Sequence, residues 1–163
     1  MSSCALGAYG DSSGPATTTH TNSAISAVTR LRDMGIESFL LAPTIKAIVA
    51  QRLVRRLCED CKAPFSAGAV EKKILGLSND ATLYKSVGCP SCKGTGYRGR
   101  LGLYEIVVVH EALRTLIHDD ASEQDLARVA FQDTETLTHC GVRQVMAGAT
   151  SVEEVLRVVR QDG

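Results

Sequence analysis

The sequence predicts a mixed α/β fold that ends in a helical C-terminal part. A β-branched apolar run at residues 103–109 is typical of a buried strand. Apolar residues at helical spacing lie on both sides of this run, and they indicate several short helices. The chain has 163 residues, which is the size of about one domain, so we expect a modest core.

Charge and hydropathy exclude several classes of protein. The 18 Lys and Arg residues balance the 18 Asp and Glu residues, whereas a protein coated with nucleic acid needs an excess of basic side chains. No apolar run approaches the roughly 20 residues that cross a bilayer, and the N-terminus lacks the basic and apolar blocks of a secretory signal. We therefore expect a cytoplasmic chain with no membrane span and no nucleic acid partner.

The neutral total conceals an uneven distribution of charge. Residues 30–62 are rich in Lys and Arg, and residues 111–135 are rich in Asp and Glu. Two interpretations stay open: these are solvated helix faces, or they form a surface that docks a partner or another subunit.

The N-terminal third is predicted to be helical after a disordered lead-in at residues 1–16, which show no periodicity. A first helix is predicted from Asn22, a good N-cap, to Gly35, which suits a helix end. A second helix is predicted to begin at Thr44 and to lead into the first cysteine pair, because four apolar residues recur every four positions on one face. These residues are Ile45, Val49, Leu53 and Leu57.

The middle of the chain is predicted to hold a short helix and a short strand. The helix covers residues 67–75 and ends at Gly76, and the strand covers residues 81–87. A glycine-rich stretch at residues 93–102 then leads into the apolar strand.

Three helices are predicted in the C-terminal part. Ser122 with Asp125 and Ser151 with Glu154 resemble capping boxes, which mark the beginnings of two helices. Between them a further helix over residues 135–147 is stopped by Gly148.

Four of the six cysteines form two Cys-x-x-Cys pairs, Cys58 with Cys61 and Cys89 with Cys92, separated by 27 residues. Cytosolic thiols stay reduced, and two such turns can place four thiolates around one ion at about 2.3 Å. A closed shell of four sulfurs leaves no position for water, so we expect structural Zn²⁺ and not a catalytic metal. Four ordinary buried thiols and a redox-active pair remain as alternatives.

The other cysteines and most histidines are interpreted without a functional role. Cys4 is expected to be a thiol of the tail and Cys140 a small buried residue. His110, His118 and His139 are expected to be structural or exposed. The sequence contains no Gly-Lys dipeptide, so the phosphate-binding loop GxxxxGK[ST] is absent from it.

Three stretches of the chain resemble the C-terminal third of the type II secretion assembly ATPases. They are HTNSAISAVTRLRDMGIESFLLAPTIKAIVAQRLVRRLCEDCK, VGCPSCKGTGYRGRLGLYEIVVV and GVRQVMAGATSVEEVLRVVR. The likeness runs from about Thr19 to Arg160, and the type IV pilus extension ATPases are close relatives of that family.

The resemblance implies a RecA-like fold and a cytoplasmic hexameric motor. Such a motor uses ATP and Mg²⁺ to drive pseudopilus assembly and protein export, and it lies at the inner membrane through platform proteins that are its partners. The resemblance also implies structural Zn²⁺ on the four paired cysteines. It further implies a histidine box at His20, where an imidazole beside the γ-phosphate could position water or sense the nucleotide.

On this resemblance the chain divides into the end of a RecA-like core at 17–57, a tetracysteine zinc subdomain at 58–99 and a C-terminal strand and helical part at 100–163. The P-loop, aspartate box and Walker B segment of the family have no match in the sequence. We therefore interpret the chain as a truncated or remnant motor that does not hydrolyse ATP alone.

Two other functions are weighed against this interpretation. The first is a free-standing zinc-stabilised module that docks on the secretion or type IV pilus machinery. The second is a zinc-ribbon protein that binds nucleic acid, which the neutral charge and the few aromatic residues disfavour.

Overall fold

Helices and short strands alternate along the chain in a computed structural model that describes residues 23–132 and 134–159. The helices are α1 (Ser26–Asp33), α2 (Ser38–Thr44), α3 (Ala69–Leu75), α4 (Glu111–His118), α5 (Glu123–Ala130), α6 (Leu137–Met146) and α7 (Val152–Val159). The strands are β1 (Ala47–Leu57), β2 (Ala63–Ser66), β3 (Thr82–Lys85) and β4 (Tyr97–Val108). A mixed α/β chain with a helical C-terminal part is therefore confirmed.

The strands form two sheets of two strands each, β1 with β4 and β2 with β3. Strands β2 and β3 are antiparallel, with Ala63 opposite Lys85. In the other sheet the carbonyl oxygen of Lys46 accepts a hydrogen bond from the Val109 N–H at 2.9 Å, just outside the paired strands. The beginning of β1 therefore lies beside the end of β4, which is the antiparallel arrangement.

The helix predicted from Thr44 to the first cysteine pair is wrong, because β1 occupies this segment and a short α2 precedes it. A spacing of four residues is also an even number, so the same residues share one face of a strand as well as of a helix. The predicted apolar face is wrong at its centre, where Val49 and Leu53 are 57% and 47% exposed. Ala50 and Val54 are buried instead, and of the predicted face Leu57 is buried. The apolar spacing fits a helix and a strand equally well, and pairing with β4 makes this segment a strand.

Most of the other predicted elements are confirmed. Helices α1, α3 and α6 lie inside the predicted segments, and Gly35, Gly76 and Gly148 follow their ends with positive φ angles. Strand β3 lies inside residues 81–87. Strand β2 and helices α2 and α4 were not predicted, and the lead-in at residues 1–16 lies outside the described residues. The domain boundaries given by the resemblance stay a prediction.

The described chain divides into two compact units. The first unit holds the residues up to Ala50 together with Tyr104–Thr136. Its core is formed by apolar side chains of the helices and of the strand segments within it. Its largest fully buried members are Ile25, Val28, Val107, Leu113, Ile117 and Leu126.

Arg32 fastens α1 to the end of α4 within the first unit. Its guanidinium donates hydrogen bonds to the carbonyl oxygens of Ile117 at 2.9 Å and Ala121 at 2.8 Å. It also pairs with Asp120 at 3.1 Å. Ile117 lies in the last turn of α4, where carbonyl groups lack a partner further along the helix, and Ala121 lies in the loop that follows. One side chain of α1 therefore holds both the end of α4 and the loop after it.

The second unit holds Gln51–Leu103 and the residues from Leu137 onwards. The insertion between the two cysteine pairs packs on α6 and α7 through one apolar cluster. Its buried members are Ala67, Leu75, Leu83, Val145, Val152 and Val155. The spacer between the cysteine pairs therefore folds against the two C-terminal helices and shares one core with them.

Helices α6 and α7 approach closely at Gly141. A Cβ atom on this residue would lie 2.5 Å from Cγ1 of Val155 and 3.5 Å from Cδ1 of Leu103. Glycine normally weakens a helix interior, so its presence here reflects the packing of the two helices and not helix propensity.

We expect Gly141→Ala to lower the free energy of unfolding by about 1–3 kcal/mol, because the added methyl group overpacks the contact with Val155. The control is Thr138→Ala at an exposed position of the same helix, which should change stability by less than about 0.5 kcal/mol. Urea unfolding followed by circular dichroism measures both. A Gly141→Ala chain more stable than the parent would show that helix propensity governs this position.

Candidate metal centre

The four paired cysteines converge on one point in the second unit. All four Sγ atoms lie within 4.8 Å of one another. The Sγ–Sγ distances are 3.9 Å for Cys58 and Cys89, 3.8 Å for Cys61 and Cys92, and 3.7 Å for Cys89 and Cys92. Four sulfurs at about 2.3 Å from a tetrahedral ion stand about 3.8 Å apart. The four thiols, which form no disulfide, could therefore hold one metal ion.

The first pair follows the end of β1, where main-chain hydrogen bonds fix the strand. The Cys58 N–H donates to the carbonyl oxygen of Gly96 at 3.0 Å. The carbonyl oxygen of Cys58 then accepts from the N–H groups of Cys61 at 3.3 Å and Lys62 at 2.9 Å. These bonds close a turn that brings the second sulfur of the pair back to the first.

The second pair lies on a single 3-10 turn, Pro90–Cys92, that begins just after Cys89. The Gly94 N–H donates to the carbonyl oxygen of Cys89 at 2.9 Å. Gly88 has a φ of +106°, and a Cβ atom on it would lie 2.6 Å from the Gly94 carbonyl oxygen. The loop can close around the second pair only with glycine at this position.

Main-chain N–H groups point at two of the sulfurs. Gly88 donates to Sγ of Cys61 at 3.3 Å, and Cys89 and Gly96 each donate to Sγ of Cys92 at 3.1 Å. Burial raises the pKa of Cys92, but the N–H donors outweigh it and lower this pKa to about 6. Burial raises the pKa of Cys61 to about 11. Donors of this kind stabilise the thiolate form, which is the form that binds metal.

The donor set determines what the cluster can do chemically. It consists of four sulfurs, and the described residues add no histidine or carboxylate to it. Four thiolates close a tetrahedral shell and leave no position for a reacting water. Cys58 and Cys92 are buried, and Cys61 and Cys89 are half-buried. The arrangement therefore suits a structural metal.

A buried carboxylate holds the strand that leads into the first pair. Glu154 of α7 is 1% exposed, and its carboxylate accepts from the Arg55 N–H at 2.9 Å and from the Arg55 guanidinium at 2.6 Å. Arg157 donates two further hydrogen bonds, both at 3.1 Å. Burial raises the pKa of Glu154, but these hydrogen bonds outweigh burial and lower the pKa to about 2. The carboxylate therefore stays ionised throughout the neutral range.

The same arginine also contacts β4 and the beginning of α7. The Arg55 guanidinium lies 4.1 Å from the centre of the Tyr97 ring. The Tyr97 hydroxyl shares a hydrogen bond of 2.8 Å with Ser151, and Thr150 donates to the carbonyl oxygen of Arg55 at 2.8 Å. Strand β1 is thus bound to α7 three residues before the first metal-binding cysteine.

The two capping boxes predicted from the sequence differ in outcome. At the beginning of α5 the Ser122 hydroxyl accepts from the Asp125 N–H at 3.2 Å, which confirms the cap. At the beginning of α7 the Ser151 hydroxyl accepts from the Glu154 N–H at 3.4 Å. The Glu154 carboxylate, however, binds Arg55 and Arg157, so the predicted reciprocal half of this box is wrong. The sequence signal pointed to the right residue but not to its partner.

Among the described residues, the histidines and Cys140 do not belong to the cluster. His20, predicted as the histidine box, and Cys4 lie outside the described residues. His110, His118 and His139 are exposed, as predicted. Cys140 is buried in α6, as predicted, but it is disulfide-bonded and is not the unpaired residue that was expected. No helix within residues 23–132 and 134–159 is long and apolar enough to cross a membrane.

Comparison with known proteins gives one family. The family model described as "Type II/IV secretion system protein" matches residues 13–157. The chain is 48% identical over 147 residues to type II secretion system protein E of Aeromonas hydrophila and 49% identical over 147 residues to that of Pseudomonas aeruginosa. It is 44% identical over 146 residues to type II secretion system ATPase E of Vibrio cholerae.

These matches cover 88–89% of the chain but only 29% of each relative. The chain therefore spans less than a third of the length of these proteins.

We expect Glu154→Gln to lower the free energy of unfolding by about 2–4 kcal/mol, because it removes a buried charge that two arginines and a main-chain N–H solvate. The matched control is Glu153→Gln at the neighbouring exposed position of α7, with an expected change below about 0.5 kcal/mol. Urea unfolding at neutral pH compares the two variants. Equal stabilities would mean that the carboxylate does not hold β1.

Proposed function

Because the chain belongs to the type II/IV secretion system protein family, we propose that it is the zinc-stabilised portion of a type II secretion ATPase. The observation that carries this proposal is identity of 44–49% to three such proteins over nearly the whole chain. In this proposal the complete motor is a hexamer that drives pseudopilus assembly and protein export. It acts on the cytoplasmic side of the inner membrane, which it reaches through platform proteins.

The metal is proposed to be Zn²⁺, held by Cys58, Cys61, Cys89 and Cys92. Four thiolates with sulfurs already near tetrahedral spacing favour Zn²⁺ over ions that prefer oxygen ligands. Bound there, the ion supplies a cross-link between the two cysteine turns. The protein's part is to hold both turns through the hydrogen bonds of Cys58 with Gly96 and of Cys89 with Gly94.

ATP chemistry is proposed to belong to other segments of the motor. The sequence holds no GxxxxGK[ST] loop, and amides and a lysine of that loop are what cradle the phosphates. Residues 17–57 would then complete a RecA-like core, and His20 would lie near the γ-phosphate of ATP bound, with Mg²⁺, by the remainder. The chain alone is proposed to be inactive.

The zinc assignment predicts about one Zn²⁺ per chain by elemental analysis of the purified protein. Cys58→Ser and Cys92→Ser should lose most of this zinc, because a shell of three thiolates binds it far more weakly. Ser91→Ala, an exposed change in the same turn, should keep it. Removal of zinc by a chelator should abolish the cooperative unfolding of the chain, since zinc binding contributes directly to folding free energy. An unchanged circular dichroism spectrum and melting temperature after chelation would contradict a structural role.

The assignment of ATP chemistry predicts that the purified chain does not release phosphate from ATP with Mg²⁺. A mock purification from cells without the chain provides the background. Turnover that co-purifies with the chain and exceeds this background would contradict the proposal. A chain that is inactive yet binds isolated platform proteins as tightly as a complete motor would favour a free-standing docking module.

A further inference from the structure

The two units of the chain carry opposite charge. Among the described residues the first unit has five Lys and Arg against nine Asp and Glu, and the second unit has twelve against six. A chain of zero net charge is thus divided into an acidic and a basic unit. Separation of this kind creates local potentials that the neutral total conceals.

The basic charge of the second unit is concentrated on its paired strands. We define the arginine ribbon as five residues of β1 and β4: Arg52, Arg55, Arg56, Arg98 and Arg100. Residues 98–100 are three consecutive exposed positions, so neither face of β4 is covered there. In the described part of the chain the side chains of Arg98 and Arg100 are exposed and have no hydrogen-bond or ion-pair partner.

Carboxylates of the ribbon's own unit neutralise it only in part. Glu154 binds Arg55 at 2.6 Å and Glu59 lies 3.6 Å from Arg56. Both arginine side chains remain at least 50% exposed. The excess of guanidinium groups in the ribbon therefore comes from Arg98 and Arg100, and guanidinium groups bind carboxylates well because their donors match both oxygens.

The acidic unit presents a compact set of carboxylates where α4 ends and α5 begins. We define the acidic corner as Asp119, Asp120, Glu123 and Asp125. The side chains of Asp119 and Asp120 are 62% and 72% exposed. Two arginines of the same unit neutralise the corner in part: Arg32 pairs with Asp120, and Arg128 with Asp125.

We propose that the arginine ribbon of one copy of this chain docks on the acidic corner of a second copy. The argument is charge complementarity between two exposed surfaces of the same sequence. A polyanion such as nucleic acid or an anionic lipid would match the ribbon but would leave the corner without a partner, whereas a second copy of the chain matches both surfaces. This proposal rests on the proposed function, since it assigns a surface through which subunits of the motor meet.

The contact joins two different surfaces, so a pair of copies can make it once or can make it twice about a two-fold axis. Where a pair makes it once, one ribbon and one corner stay free, and further copies can add in the same way. Such contacts produce rings when the rotation closes and filaments when it does not. Their exposed charges also make association strongly dependent on salt, since the screening length falls from about 10 Å at 0.1 M salt to about 3 Å at 1 M.

Sedimentation velocity of the zinc-loaded chain in low and high salt tests the proposal. We expect association in 50 mM NaCl that weakens at least tenfold in 500 mM NaCl. Arg98→Glu with Arg100→Glu should abolish association, because the altered ribbon repels the corner of every other copy. Asp119→Lys with Glu123→Lys should also abolish association, because the altered corner repels the ribbon of every other copy.

A mixture of these two variants is the decisive sample. The reversed ribbon of one variant now complements the reversed corner of the other, and their unaltered surfaces also match. We therefore expect the mixture to associate although each variant alone is monomeric. The matched control is Lys73→Glu with Lys85→Glu, which changes the charge of the same unit equally at exposed positions outside the ribbon and should associate like the parent.

Circular dichroism and zinc content establish that each variant is folded before it is compared. A parent chain that stays monomeric in low salt, or a mixture that does not associate, would overturn the proposal. Binding of the monomeric chain to phosphatidylglycerol vesicles or to DNA through the ribbon would overturn it too and would assign the ribbon to a polyanion. Zinc content and ATP turnover are measured separately, so failure of the docking proposal leaves the proposed function intact.

Discussion

The hydrogen bond from the Cys58 N–H to the Gly96 carbonyl oxygen is the constraint on which the candidate metal centre depends. It fixes the end of β1 beside the beginning of β4, and these are the points where the two cysteine turns leave the strands. Gly96 also donates its N–H to Sγ of Cys92. One residue thus links strand pairing to the position of a sulfur, and the Glu154 carboxylate secures the same strand from the side of α7.

Local signals were enough to predict the parts of the structure that local interactions decide. The Cys-x-x-Cys turns, the serine cap of α5 and the glycine ends of three helices depend on residues only a few positions apart. The four thiols could therefore be grouped from spacing alone. Their convergence to 3.7–3.9 Å depends on the folded spacer and needed the structure.

Long-range interactions account for what the sequence could not predict. Strand β1 was predicted as a helix because its apolar spacing fits both periods, and only pairing with β4 distinguishes them. Glu154 looked like half of a capping box, yet its partner Arg55 lies 99 positions away in sequence. The residue pattern of α7 alone cannot predict a contact with a residue so far away in the sequence.

The spacer between the cysteine turns has a consequence for variation among related chains. Strands β2 and β3 pair from Ala63 with Lys85 to Ser66 with Thr82, so the spacer leaves and returns at neighbouring points. The segment between the two strands, which includes α3 and the exposed turn at residues 78–80, is separated along the chain from both cysteine pairs by the paired strands. Insertions and deletions there can change the length of the spacer without altering the coordination geometry, so the residue count between the two cysteine pairs is a poor guide to whether another chain has the same centre.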